Sequence, residues 1–515
     1  MDAKAHLTKA ITLNPDYSEA YYELGLLLKK DGDADESLVH FQKAVALKSD
    51  FAEAECELAI MLQLSKDLES SRNHFLNSLE INPNYANAYF HYGLLLIELD
   101  DIEEAKNNFD KVTEINQNYA PAYFHKANLL TSPDDFEEAK KNYETAIDID
   151  DSYVEAHYYL AKLFLGGIAT DKEGTIIDRK EIEKAEFHFE KVIDIDGDNY
   201  KAYYNLAKIH SDSCNFKKAE SLLKKAISLN SEYSKAHFLM AHVFEETCKT
   251  SQAKKHYELS IKYFKQNAMA HFRLGVMMYK DGAYEKSLVH LKNSAEINPQ
   301  HAESNFFIAM ILRSDEDASL AKKHFYKALE LDPEYSEAYF ELGNHSVVNG
   351  DLNEAKLHFQ KASDLNQNFV LAYFHLAKIL TNPSEYDQAY RNYETALEIE
   401  PQLSECHYWF AKLLSGGEKL KTDGSLIKEP EIQLAKEHLN KAIKIDKKYS
   451  KAYYKLGLLL VEDSDYADAM SNFEIAIQND ENFAEAHYQI ALLLMDDNIV
   501  KKLSKKTSKK TITRK

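Results

Sequence analysis

Five histidines, His157, His237, His271, His407 and His487, raise the question of a metal site, because neutral imidazole is a common metal ligand. Their spacing argues against it. Each stands at the same place of a unit that recurs along the chain, and Tyr21, Tyr89 and Tyr203 fill that place in other copies. A residue type that returns once per unit is held there by packing, whereas a metal needs several ligands in one place. The four cysteines, Cys56, Cys214, Cys248 and Cys406, form no CxxC pair, so neither a zinc site nor a disulfide framework is expected, and a reducing compartment is the simplest setting. The acids of DGDADES (31–37) have the look of a calcium loop, but the bidentate Glu at its twelfth place is missing, which leaves a turn. No phosphate-binding glycine loop, HExxH or GxSxG occurs. No catalytic residue, metal ligand or cofactor is expected, and the chain reads as a non-enzyme.

The elements behind these residues are helical. The chain has 515 residues, 45% of them hydrophobic and 28% charged, with Gly (15) and Pro (9) scarce. That composition favours helices joined by short turns. No run reaches the roughly 18 to 20 apolar residues of a membrane span. The start, MDAKAHLTKAITLN, lacks the apolar core of a signal peptide. A cytoplasmic setting is expected.

The unit is 34 residues long. Gly or Ala recurs at Gly25, Ala59, Gly93, Ala127, Ala161, Ala207, Ala241, Gly275, Ala309, Gly343, Ala377, Ala411, Gly457 and Ala491. Every step is 34 residues except those into Ala207 and Gly457, which are 12 longer. Twelve residues on comes another small residue (Ser37, Ser71, Ala105, Ala139), and four further a large apolar one (Phe41, Phe75, Phe109, Tyr143). Two antiparallel helices approach closely only where side chains are small, and a bulky neighbour fills the hole beside the contact.

This pattern resembles the tetratricopeptide repeat, a helix–turn–helix unit of that period. The resemblance covers about residues 1–499. It implies an all-α solenoid of about 14 helix pairs wound into a right-handed superhelix. A longer period overlies the first. KDGDADESLVH (30–40) returns as KDGAYEKSLVH (280–290), and KNYETAIDID (141–150) as RNYETALEIE (391–400), both 250 residues on. The chain therefore divides into two seven-repeat blocks, 1–250 and 251–500, followed by a tail, 501–515. At the ends, a second-type helix and a first-type helix stand without partners, so head-to-tail self-association is one hypothesis.

Each block carries one insertion in the turn between two helices, at 166–181 and 416–431. Asp423-Gly424 is a type I′ hairpin signal, and both segments read as short β-hairpins. An added contact surface and a tolerated surface loop are the two alternatives.

Repeats of this family bind partners on a concave face lined by the first helices. Three residues before each Gly/Ala, a place that faces the groove by resemblance, a ring recurs: Tyr22, Phe90, Phe124, Tyr158, Tyr204, Phe238, Phe272, Phe306, Phe340, Phe374, Tyr408, Tyr454 and Tyr488, with Cys56 the exception. Rings there suit an extended peptide and equally suit packing against the next unit. They also take the place of the basic residue that grips chaperone-tail carboxylates in some relatives, so that mode is not expected. The Asn that such arrays often repeat two residues before the Gly/Ala occurs once, at Asn205; Tyr159 and Trp409 are among its replacements. Other groove-facing places hold Lys162, Lys201, Lys208 and Lys235 in the first block, and Lys378, Lys412 and Lys451, with Lys455 nearby, in the second. Against a net charge of −22, these local cations point to two related pockets for an acidic, extended peptide; scattered surface lysine is the plain alternative.

Six of the 62 basic residues are Arg, fewer than a phosphate or nucleic-acid binder usually carries. The tail KKLSKKTSKKTITRK holds eight basic residues and no acid, so the body before it is more acidic still. Such a body repels nucleic acid at long range. Any nucleic-acid contact, or a nuclear address, is expected from the tail alone. The expected function is a protein–protein interaction scaffold or adaptor that binds extended peptide segments. The alternatives are the substrate-recognition array of an enzyme, glycosyltransferase-like in kind, whose catalytic part is elsewhere, and a self-assembling structural element.

Overall fold

In a computed structural model, the residues described are 3–166, 179–313, 318–416, 419–420, 426–427, 431–496 and 499–500. They form 28 α-helices, two single 3-10 turns and one pair of two-residue strands. The helices fall into two compact units, 1–264 and 265–515.

Unit 1 opens with the lone helix Ala3–Leu13 and continues as seven antiparallel pairs, from Ser18–Asp31 with Ala34–Leu47 to Ser234–Glu246 with Thr250–Tyr263. Unit 2 holds six pairs, from Ala268–Lys280 with Tyr284–Ile297 to Tyr466–Asn479 at the close of the sixth, and then the single helix Ala484–Met495. Thirteen pairs and two single helices thus stand where about 14 pairs were expected. The division between units falls after Phe264 rather than after residue 250. A cut at 250 would part the helix Thr250–Tyr263 from Ser234–Glu246, whose face it covers, and the helix pair is the smallest packed element.

The expected small–large contact is the core of each pair. A Cβ added to Gly93 would come within 2.8 Å of the Phe109 ring, and one added to Gly343 within 2.6 Å of the Phe359 ring. Phe41, Phe75, Phe109, Phe189, Phe359 and Phe473 are wholly buried. The small residue twelve places on has a second task where it is serine. The hydroxyls of Ser37, Ser71 and Ser287 donate to the carbonyl oxygens of Gly25, Ala59 and Gly275 at 2.7–2.8 Å, which ties the two helices at their closest approach. Several turns inside a pair need one left-handed residue. Gly32, Gly282 and Gly350 supply it with φ of 77–87°, while Cys214 and Cys248 adopt it at 58° and 56° despite their side chains.

Four of the first-helix histidines, His157, His237, His271 and His407, prove to be half of a repeated pair, while His487 is exposed. His157 Nδ1 lies 2.8 Å from His188 Nδ1, and His407 Nδ1 lies 2.8 Å from His438 Nδ1. In each, the Nε2–H of the first histidine donates to a backbone carbonyl, of Asp151 at 3.2 Å or Pro401 at 3.1 Å. That fixes the tautomer: Nδ1 of the first ring accepts and Nδ1–H of the second donates. Burial, and then the neighbouring imidazole, push His188 and His438 down to about 4.

Candidate functional site

Three successive first helices of unit 2, Val370–Ile379, Ser404–Gly416 and Ser450–Glu462, each present one lysine to a common cavity of about 450 Å³. The packing residues set their direction. Ala377 and Ala411 are buried against their second helices, and Lys378 and Lys412 follow them by one residue; Lys455 precedes Gly457 by two. Trp409 stands among them, with Lys378 Nζ 4.8 Å and Lys412 Nζ 4.6 Å from its ring centroid. The apolar wall comes from Leu380, Pro383, Tyr386, Tyr393 and Leu413. Pro383 belongs to the 3-10 turn Pro383–Glu385, and the inserted strand Lys419–Leu420 runs beside that turn, paired antiparallel with Leu426–Ile427. The second insertion therefore forms the expected strand pairing beside the turn that carries Pro383; the first, 167–178, lies outside the described residues.

The site is electrostatically unbalanced. Lys378 Nζ has a carboxylate neighbour, Glu405 Oε1, at 3.5 Å. Among the described residues, Lys412 and Lys455 make no ion pair, and no Asp or Glu lines the cavity. Burial, followed by the charge of Lys412, holds Lys455 below the usual lysine range, although Glu462 pulls the other way. An anion entering here would meet ammonium groups already stripped of part of their water.

The other expected site residues are placed differently. The ring ladder is largely a packing seam, its rings lying against their own pair or the next one except at Tyr488, which is exposed. Tyr204 meets Tyr233 (centroids 5.3 Å apart), Tyr408 meets Tyr449 (5.3 Å), Tyr454 meets Phe483 (5.0 Å), Phe238 meets Tyr257 (5.6 Å) and Tyr158 meets Phe189 (5.7 Å). Phe374, at 2% exposure against Tyr393, has no face left for a peptide, which corrects its reading as a groove residue. The reason is geometric: the ring points at the second helix of its own pair, where Tyr393 covers it. Lys451 is exposed and outside the cavity lining, and Lys455 takes the part expected of it. In unit 1, Lys201 (5.9 Å from the Tyr200 ring), Lys208 (beside Asp212) and Lys235 are exposed, while Lys162 lies 5.4 Å above the Tyr159 ring. Sequence reasoning passed over Trp409 as a site residue. Its signal was there: the chain's single Trp, at the place where arrays of this type often carry Asn.

Among the described residues no group of His, Cys, Asp and Glu is placed to hold a metal ion, and no helix is long and apolar enough to cross a membrane.

Three models of the tetratricopeptide repeat match the chain, at residues 177–226, at 6–38 and 74–107, and at 120–153 and 302–335. The chain is a tetratricopeptide repeat protein. A fourth model, regulator of microtubule dynamics protein 1-3, matches residues 385–462, which hold the four helices from Tyr386–Ile399 to Ser450–Glu462. No curated protein matches. Among solved structures, YrrB, described as a TPR protein with an unusual peptide-binding site, is 23% identical with a TM-score of 0.33 over 36% of this chain and 95% of its own. The APC/C hetero-tetramer Cut9–Hcn1 is 14% identical with a TM-score of 0.38 over 95% and 92%. Yeast Tom70 is 17% identical with a TM-score of 0.35 over 95% and 99%. At these scores the three likenesses say nothing of what this chain binds.

Proposed function

We propose that the chain is a scaffold that holds an extended, acidic segment of a protein partner, anchored at the cavity of unit 2, and that it does so in the cytoplasm. Repeats of this type are typically non-catalytic interaction elements, and no reaction is assigned to this one. The observation that carries the reading is the meeting of Lys378, Lys412 and Lys455 around Trp409, on a chain whose net charge is −22. Local positive potential set in an acidic body attracts acidic segments to that one place, while the rest of the body repels them. The lysine stems and Trp409 add apolar area to the charge.

Selection of short random peptides on the full chain tests this. Enrichment of Asp- and Glu-bearing sequences, lost with Lys412→Glu/Lys455→Glu, is the expected result. Selection of uncharged sequences that the reversed variant binds equally well would overturn it.

A further inference from the structure

Two ammonium groups that make no ion pair among the described residues, close enough for one to lower the other's proton affinity, are an unusual thing to leave in a half-buried cavity. Lys378, Lys412 and Lys455 bring three positive charges; among the described residues Glu405 lies 3.5 Å from Lys378, Glu462 acts on Lys455 without an ion pair, and no Asp or Glu lines the cavity, so the lining itself is cationic. A single carboxylate brings one charge and two oxygens. A phosphate monoester brings about −1.5 to −2 and three oxygens, enough to face several ammonium groups at once.

We infer that the group this cavity is built to take is a phosphate monoester carried on a side chain of the partner segment. The inference rests on the scaffold reading above and names the anchor within it. The lining supports it: beside the three lysines stand the Thr381 hydroxyl and the Asn382 amide, neutral groups able to donate to phosphate oxygens, and no Asp or Glu is among the described residues that line the cavity. The scarcity of Arg in the chain speaks against phosphate binding spread along it. It does not bear on one cavity, where Lys serves as a phosphate-binding point charge.

The 250-residue repeat gives an internal control. The counterparts of Lys378 and Lys455 in unit 1 are Asn128 and Asn205, while the wall is kept: Leu130, Thr131, Pro133, Tyr143 and Leu163 match Leu380, Thr381, Pro383, Tyr393 and Leu413 in type. The asparagines are satisfied internally. Tyr143 OH donates to Asn128 Oδ1 at 2.6 Å, and Asn205 Nδ2 donates to Tyr158 OH at 3.1 Å. The same wall thus exists with neutral, paired polar groups, so the fold does not require lysine at either place.

Trp409, the chain's single tryptophan, reports on the cavity by its own fluorescence. The full chain is titrated, at about 0.15 M salt to suppress long-range attraction, with acetyl-Ala-Ala-X-Ala-Ala-amide. X is phosphoserine, phosphotyrosine, glutamate or two adjacent glutamates, and inorganic phosphate is run in parallel. The expected result is that a phosphopeptide binds at least about tenfold tighter than either glutamate peptide and than inorganic phosphate, and that Lys412→Met/Lys455→Met removes the difference while far-UV circular dichroism is unchanged. Equal binding of the glutamate peptides overturns the phosphate inference and leaves the acidic-segment scaffold standing. Inorganic phosphate binding as tightly as the phosphopeptides overturns the partner-borne anchor. No binding by any acidic probe overturns both readings.

Discussion

The cavity of unit 2 and its counterpart 250 residues earlier differ where it matters for a ligand and agree where it matters for the fold. In unit 2 the first helices present Lys378, Trp409, Lys412 and Lys455; in unit 1 the same places hold Asn128, Tyr159, Lys162 and Asn205. The first set leaves charge unbalanced around a 450 Å³ cavity, while the second turns its polar groups inward to tyrosine hydroxyls. One helical framework can therefore serve as a site or as plain structure, according to a few residues that do no packing in the pair.

If that holds, the frameworks should fail alike. Phe109→Ala in unit 1 and Phe359→Ala in unit 2 remove wholly buried rings seated on Gly93 and Gly343. Each should cost about 3–5 kcal/mol of its unit's stability, read by denaturant unfolding. A large inequality between them would break the comparison. Acid should also act on both units. His188 and His438 are neutral in the fold and sit near 4, against about 6.5 when unfolded. Between those values the unfolded chain binds more protons. Stability is therefore full above pH 6.5 and lost as pH falls toward 4. Urea midpoints measured across that range should drop, and His188→Gln or His438→Gln should flatten the drop in its own unit. A pH-independent midpoint would contradict the paired tautomers.

The sites should separate where the frameworks do not. Lys378→Asn/Lys455→Asn gives unit 2 the polar residues of unit 1. Affinity for an acidic peptide, followed by Trp409 fluorescence, should fall at least about tenfold, and stability should rise by about 1 kcal/mol as buried charge gives way to neutral hydrogen bonds. The smallest effect belongs to Lys162→Met. That lysine is exposed and sits over Tyr159, so stability should move by less than about 0.5 kcal/mol and acidic-peptide affinity should not change measurably. A loss as large as that of Lys412→Met would show that unit 1 also holds a site.

Much of this was legible in the residues. The Gly/Ala beat and the Phe that follows it predict the helix pairs, because close approach of two helices leaves few residue types that fit. Asp423-Gly424 predicted a hairpin that Lys419–Leu420 and Leu426–Ile427 now form. The aromatic ladder was misleading on its own. A ring at one helical position faces a groove or a neighbour depending on how the helices around it pack, which no local pattern encodes, and Phe374 is the plain case.

The sequence by itself determined the 34-residue helix pair and the places where lysine stands apart from an acidic chain, since each depends on side-chain size or charge at a fixed spacing. Only the tertiary structure decided which lysines meet. Lys455 is 43 residues from Lys412, yet it reaches the same cavity because Ser450–Glu462 packs beside Ser404–Gly416, and the 12-residue insertion inside the pair that Ser404–Gly416 opens leaves that packing intact. Stacking, not spacing, brought the charges together.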